Sequence, residues 1–167
     1  MSARSNVCDL TEIKNAVDIE EKLEKMGLQL PPVPKPVGAY QPFVTSGKLV
    51  FLSGQLSRDA AGKVLEGKVG AELSLARGQE AAKFAAAYAL SVMKHLIGFE
   101  KISRVVKMTG FVQAVPDFHQ IPDVLNAASE IFAAVFGEKG THARTAVGVG
   151  SLPLNAAVEI DIILELK

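Results

Sequence analysis

The feature that most constrains the fold is a regular alternation of apolar and polar residues near the carboxy terminus. Within Ala157–Leu166, apolar side chains occupy every second position: Val158, Ile160, Ile162, Leu164 and Leu166. The positions between them carry the acids Glu159, Asp161 and Glu165, together with Ile163. A period of two is typical of a β-strand, so this segment predicts a strand with one face packed on a core.

Two amphipathic helices are predicted to cover that apolar face. Alanines and larger apolar residues recur at three- and four-residue spacing in Leu73–Ile97, and Pro122–Phe136 carries a similar stripe. Gly98 and Gly137 follow these segments and are suited to end helices. Four further segments have the composition of strands: Phe43–Thr45, Leu49–Ser53, Arg104–Ala114 and Ala143–Val149. The pattern predicts an α+β domain with one mixed sheet and both helices on one face.

The strand at Leu49–Leu52 is apolar at both odd and even positions. Such a strand is expected to be covered on both faces, whereas the acids of the last strand favour an exposed second face. Burial of the second face in an oligomer, with polar groups lining pockets between subunits, explains both observations.

The amino-terminal part of the chain is predicted to be an appendage. Asn15–Met26 has the pattern of a short amphipathic helix, and the proline-rich run Pro31–Pro36 predicts an extended connector because proline fixes φ and lacks a donor. We therefore divide the chain into an appendage, residues 1–35, and a main domain, residues 36–167. The lone cysteine, Cys8, is interpreted as a poorly ordered terminal thiol in preference to a nucleophile.

Composition argues against several functional classes. Eighteen basic and eighteen acidic residues give a formal net charge of zero, without the basic footprint of a nucleic-acid-binding protein. The apolar runs are too short or too interrupted to span a bilayer, and Met1–Asn6 lacks the apolar core of a signal peptide. A single cysteine fits a reducing compartment, which predicts a cytoplasmic location.

No metal or organic cofactor is expected. The three histidines, His95, His119 and His142, are scattered, and none pairs with another ligand type at helical spacing. The chain also has no glycine-rich phosphate loop.

Arg144 and Glu159 are the first candidates for a functional site. They lie on consecutive predicted strands, and an antiparallel pairing centred between Ser151 and Leu152 would set them directly opposite each other. One interpretation is a surface ion pair, which is worth roughly 0 to 1 kcal/mol. The other is a guanidinium fork for a ligand carboxylate beside an acid that moves protons.

Four other residues are weaker candidates for ligand binding. Ser53 and Gly54 end a predicted buried strand, where glycine allows close approach of a ligand or forms a plain turn. Tyr40 offers a phenol that either caps a pocket or packs. Asn126 lies on a helix face, where its amide contacts a ligand or is solvated.

Several of these residues fall in motifs that resemble the RidA family, the reactive intermediate deaminases long labelled endoribonuclease L-PSP. The resemblance covers about Pro36 to Lys167. The most specific match is Ala143–Val147 followed by Leu152-Pro153 and Val158-Glu159-Ile160. Weaker matches are Gly38-Ala39-Tyr40, Leu52–Gln55 and Lys107–Val112.

The resemblance implies a chorismate-mutase-like α+β fold and a homotrimer with three clefts between subunits. It implies that Arg144 holds a substrate carboxylate and that Glu159 positions or activates water. Tyr40 and the backbone near Ser53 and Gly54 are implied to line the cleft, with Asn126 as a further contact.

One departure from the family pattern leaves the function open. Many catalytic members carry cysteine two residues after the arginine, where this chain has Ala146. The first hypothesis is hydrolytic deamination of small 2-imino and enamine acids to 2-keto acids and ammonia. The alternative is a trimer that binds small carboxylates without turnover. Ribonuclease activity is disfavoured by the neutral charge and by the lack of a catalytic histidine pair.

Overall fold

A computed structural model describes residue 19, residues 21–33 and residues 38–167. The two long helices are α1, Leu75–Val92, and α2, Ile121–Phe136. The strands are β1, Phe43–Ser46; β2, Leu49–Leu56; β3, Ile102–Gln113; β4, Ala143–Val149; and β5, Val158–Leu166. Every helix and strand predicted within the main domain is confirmed, with ends that differ by a few residues. Cys8 and five of the twelve residues of the predicted Asn15–Met26 helix, 15–18 and 20, lie outside the described residues, whereas residues 19 and 21–25 are helical.

The five strands form one mixed sheet in the order β1-β2-β5-β3-β4. The β3–β4 pair is parallel, and the other three neighbouring pairs are antiparallel. Because β3 lies between β4 and β5, the predicted hairpin of the last two strands is wrong. Arg144 is paired with Met108, and Glu159 is paired with Phe111 on β3 and with Leu56 on β2.

The connection between β4 and β5 explains why no hairpin forms. It contains a short 3-10 helix, Pro153–Asn155, in which Leu154 and Asn155 both have φ of 56°. The side chain of Gln113, at the end of β3, accepts a hydrogen bond from the Leu152 N–H and donates one to Asn155 Oδ1. These contacts hold the connection across the end of β3, so that β5 returns on the far side of that strand.

Both helices pack on one face of the sheet, as predicted. The even-numbered apolar residues of β5 from Val158 to Leu164 are almost fully buried there. Gly110 of β3 lies under Leu125 of α2, where a side chain at position 110 would collide with the leucine. The alanines of α1, including Ala81, Ala85 and Ala89, are also fully buried and allow a close approach of the helix.

The ends of the helices follow from their sequences. Ser74 caps α1 by accepting a hydrogen bond from the Arg77 N–H. The last predicted turn of this helix is a π-helical turn, Met93–Ile97, which ends at Gly98 with φ of 94°. Helix α2 has proline in its first turn and ends at Gly137 with φ of 63°.

The second face of the sheet carries exposed apolar side chains. On β2, Val50 and Leu52 are buried beneath the helices, but Leu49 and Phe51 on the other face remain 38% and 37% exposed. Val44, paired with Phe51, is 56% exposed. The prediction that this strand is covered on both faces is therefore met on one face within a single copy. Cover of the second face by another copy stays a prediction.

The described part of the amino-terminal segment contacts the main domain. Ile19 and Leu23 are buried in the hydrophobic core. Lys22 Nζ donates a hydrogen bond to the carbonyl of Val135 at 3.2 Å, and the buried Ser91 hydroxyl donates one to the carbonyl of Pro31. The division of the chain at residue 35 stays a prediction, but the helical residues 21–25 pack against the main domain.

Leu23→Ala is expected to lower the free energy of unfolding by about 2 kcal/mol, because it removes a buried side chain at the edge of the core. The matched control is Glu24→Ala on the exposed side of the same turn, which should change stability by less than about 0.5 kcal/mol. Urea unfolding of the three proteins measures both effects. Equal stabilities would show that the segment is an independent appendage.

Candidate functional site

Arg144 lies on the edge strand β4, and its side chain points to the helix side of the sheet. Nη1 donates hydrogen bonds to Asn126 Oδ1 at 2.9 Å and to Ser129 Oγ at 3.2 Å, two residues one turn apart on α2. These two bonds use both hydrogens of Nη1, so the edge formed by Nε and Nη2 remains for a ligand. That edge has the geometry of a bidentate contact with a carboxylate.

The electrostatic character of this site follows from its partners. Asn126 and Ser129 are neutral, so they orient the Arg144 guanidinium without neutralising its charge. No ion pair joins Arg144 to a carboxylate among the residues that the structure describes. We call Arg144, Asn126 and Ser129 the arginine half-site. An exposed cation with one edge already fixed is suited to binding an anion.

Glu159 lies on the opposite, open face of the sheet. Its carboxylate extends over Gly54, where a methyl group in place of the glycine hydrogen would overlap Oε1. Gly54 falls at the register shift between Leu52 and Gln55 in the β2–β5 pairing, which brings its backbone under the acid. Burial raises the pKa of the half-buried Glu159 carboxyl, and the nearby Asp161 carboxylate raises it further.

Ser53 adds a structural element beside Gly54. Its hydroxyl donates a hydrogen bond to the carbonyl of Gln41 at 2.6 Å, and its N–H donates one to the carbonyl of Pro42 at 2.9 Å. Ser53 therefore holds the segment that follows Tyr40, whose own side chain is 54% exposed. We call Glu159, Gly54 and Ser53 the glutamate half-site.

The two half-sites do not meet within one copy of the chain. Arg144 is paired with Met108 and Glu159 with Phe111, and residues separated by three positions on a regular strand point to opposite faces. The predicted cross-strand contact of Arg144 and Glu159 is wrong for this reason, and an ion pair between them in one copy is excluded with it.

Comparisons with known proteins agree with the motifs. Residues 31–166 match the family model described as Endoribonuclease L-PSP. The chain is 39% identical over 151 residues to protein TCP17 of Trypanosoma cruzi, covering 89% of this chain and 94% of that protein. It is 32% identical over 143 residues to a 2-iminobutanoate/2-iminopropanoate deaminase of Dermatophagoides farinae, covering 84% of this chain and 95% of that protein.

The fold is also found among solved structures. The crystal structure of protein Atu1372 from Agrobacterium tumefaciens superposes with a TM-score of 0.87 at 41% identity, covering 95% of this chain and all of that chain. The chain belongs to the RidA/L-PSP family. The predicted chorismate-mutase-like α+β fold is thereby confirmed, and the family includes an imine deaminase.

Within residues 19, 21–33 and 38–167, no group of three or more histidine, cysteine, aspartate or glutamate side chains is placed to hold a metal ion. No helix of the described part of the chain is long and apolar enough to cross a membrane.

Sequence reasoning missed two residues beside the RidA-family arginine. Ser129 contacts Arg144 directly, and His142 contacts Ser129 through Nε2 at 3.2 Å. The available signal for Ser129 was its position three residues after Asn126, on the same side of a predicted helix. His142 lies two residues before Arg144, where the sequence offered only a scattered histidine.

The raised pKa of Glu159 predicts a pH-dependent effect of Glu159→Gln on stability. A carboxyl whose folded pKa lies above its unfolded value stabilises the protein below the unfolded pKa, near 4.3, and this contribution is lost as pH rises through the folded pKa. Glu159→Gln should therefore gain thermal stability relative to the unsubstituted protein as pH rises from about 4 to 7.

Asp161→Asn provides the matched background for this measurement. It removes the second cause of the raised pKa of Glu159, so the gain from Glu159→Gln should be smaller in that background. Melting temperatures of the four proteins across the pH range measure the effect. Parallel curves for Glu159→Gln and the unsubstituted protein would contradict the assignment.

Proposed function

We propose that the protein hydrolyses small 2-imino and enamine acids to 2-keto acids and ammonia. The proposal rests on the different chemistry of the two half-sites, a cation in one and a carboxyl group with a raised pKa in the other. The arginine half-site keeps one edge of its cation for a carboxylate. The glutamate half-site offers an acid whose pKa is raised toward the range in which it exchanges protons.

The proposed site is a cleft between copies of the chain in a homotrimer. One copy contributes Arg144 and Asn126, and its neighbour contributes Glu159, Gly54, Ser53 and Tyr40. This arrangement is supported by the opposite placement of the half-sites in a single copy and by the exposed apolar side chains around Phe51 on the open face. Burial of these side chains by a second copy would also raise the pKa of Glu159 further.

The proposed reaction needs positioning and proton transfer alone. The substrate carboxylate binds the Nε and Nη2 edge of Arg144, which places the imine carbon in the cleft. A water oxygen bonds to that carbon while Glu159 accepts a proton from the water. Glu159 passes that proton to the imine nitrogen, which gives a carbinolamine. Glu159 then takes the proton of the new hydroxyl and delivers it to the amino nitrogen, so that the carbonyl of the keto acid forms as the carbon–nitrogen bond breaks and ammonia leaves.

Ala146 favours the second candidate, a trimer that binds small carboxylates without turnover. It lies two residues after Arg144 on the same face of β4 and is half-buried, and its methyl group provides no polar contact to a ligand. In such a binding protein Arg144 still holds the carboxylate, but Glu159 transfers no proton because no reaction takes place.

Glu159→Gln is expected to lower kcat by about 10²- to 10⁴-fold, because the amide cannot transfer protons. Binding of pyruvate should survive in this variant, since Arg144 is intact. Arg144→Lys, by contrast, should weaken pyruvate affinity, because an ammonium group cannot form the bidentate contact with a carboxylate. Ammonia and keto acid release from freshly generated imino acids, with calorimetry for pyruvate, measures both.

These outcomes separate the two candidate functions. An unsubstituted protein that binds pyruvate through Arg144 but releases no ammonia would establish the binding protein. An unsubstituted protein that turns over imino acids, with an equally fast Glu159→Gln variant, would remove Glu159 from the mechanism.

Mixed oligomers test whether the cleft combines two copies. Arg144→Ala and Glu159→Gln chains should each be inactive, but an equal mixture unfolded and refolded together should recover about one quarter of the unsubstituted activity, the statistical share of clefts with both native residues. Light scattering at micromolar concentration should give a trimer mass for each sample. A mixture as inactive as its components would show that Arg144 and Glu159 of neighbouring copies do not share a working site.

A further inference from the structure

A chain of hydrogen bonds links Arg144 to His142 through Ser129. Arg144 Nη1 donates to Ser129 Oγ at 3.2 Å, and Ser129 Oγ lies 3.2 Å from His142 Nε2. His142 Nδ1 lies 2.7 Å from the carbonyl oxygen of Gly140. Because a carbonyl oxygen only accepts, Nδ1 carries the ring proton, and the unprotonated Nε2 accepts the hydroxyl proton of Ser129. The oxygen lone pairs of Ser129 are then directed at the arginine.

The surroundings of His142 keep the imidazole neutral and fixed. Its ring packs edge-on against Phe132, with the centroids 5.9 Å apart. The pKa of the His142 imidazole is lowered, mainly because the ring is buried. The hydrogen bond to the Gly140 carbonyl opposes this shift, and the nearby Arg144 cation adds to it. The charged side chains that line the adjoining pocket of about 310 Å³ are Arg144 from β4 and Glu130 from α2.

We propose that His142 is a positioning residue for the carboxylate site: through Ser129 it fixes the guanidinium of Arg144 with the Nε and Nη2 edge turned to the ligand. The inference rests on the proposed function, in which that edge binds the substrate carboxylate. Without an acceptor at Nε2, the Ser129 hydroxyl can rotate, and the long side chain of Arg144 loses one of its two anchors. Fixing a binding group in advance lowers the entropy lost when the ligand binds.

Two substitutions at position 142 separate the hydrogen bond from the packing of the ring. His142→Phe keeps an aromatic ring against Phe132 and removes both polar atoms. His142→Gln loses the ring but places an amide oxygen within reach of the Ser129 hydroxyl. We expect about 3- to 10-fold weaker pyruvate binding in His142→Phe, the usual effect of one hydrogen bond. His142→Gln should recover most of this loss.

Ser129→Ala tests whether the effect passes through the hydroxyl. It should weaken pyruvate binding by a similar factor, and the double variant with His142→Phe should bind no more weakly than either single variant, since both remove the same link. In turnover, KM should rise with kcat nearly unchanged, because the carboxylate is held equally in the ground state and the transition state. Loss of fold would instead lower the melting temperature and kcat together.

The tautomer of His142 gives a readout that does not depend on any ligand. Nitrogen NMR of the full-length protein at neutral pH should show the proton on Nδ1, and a proton on Nε2 would overturn the inference. Pyruvate affinity that is unchanged in His142→Phe, but lost in Arg144→Lys, would also overturn it and leave the proposed function standing. Unchanged affinity in Arg144→Lys would remove the proposed function, and the positioning role with it.

Discussion

The structure depends on the pairing of β3 with two different strands, parallel to β4 on one side and antiparallel to β5 on the other. This pairing places Arg144 on the helix side of the sheet and Glu159 on the open side. Side chains alternate between the two faces of a strand, so either charged residue could reach the other face only by a one-residue shift in strand register. That shift would also turn the apolar side chains of the strand away from the core. The distance between the half-sites is therefore as firmly determined as the core itself.

The two half-sites differ in how their surroundings treat the charge. The hydrogen-bond partners of Arg144, Asn126 and Ser129, are neutral, so its charge stays available while one nitrogen is held. Glu159 is half-buried beside another carboxylate, so its negative charge is disfavoured and its proton is held more tightly. Under the proposed function, the available cation would bind the carboxylate of the substrate, and the acid that resists ionisation would exchange protons at its nitrogen.

Most of the fold was predictable because its signals are local. The alternation of Val158–Leu166 and the apolar stripes of both helices depend on neighbouring residues in the chain. The order of the strands was not predictable, because it depends on contacts such as that between Gln113 and Asn155, 42 positions apart. A register irregularity between Val105 and Lys107 likewise leaves Val105 buried, although the buried residues Met108 and Val112 lie at even-numbered positions of the strand. Arg144, Asn126, Glu159 and Gly54 were found through motifs, whereas Ser129 and His142 needed three-dimensional proximity.

Gly54 has a consequence for how sequence variation in this protein is interpreted. A side chain at this position would meet the flexible end of Glu159, which can swing aside, and not the backbone. By contrast, a side chain at Gly140 would meet the backbone of Phe132 in α2, which cannot move without disturbing the helix. Substitutions at position 140 should therefore lower heat tolerance and expression level, whereas substitutions at position 54 should leave both nearly unchanged. Natural chains that differ at position 54 would be expected to keep the architecture and, under the proposed function, to differ in the acids that they accept.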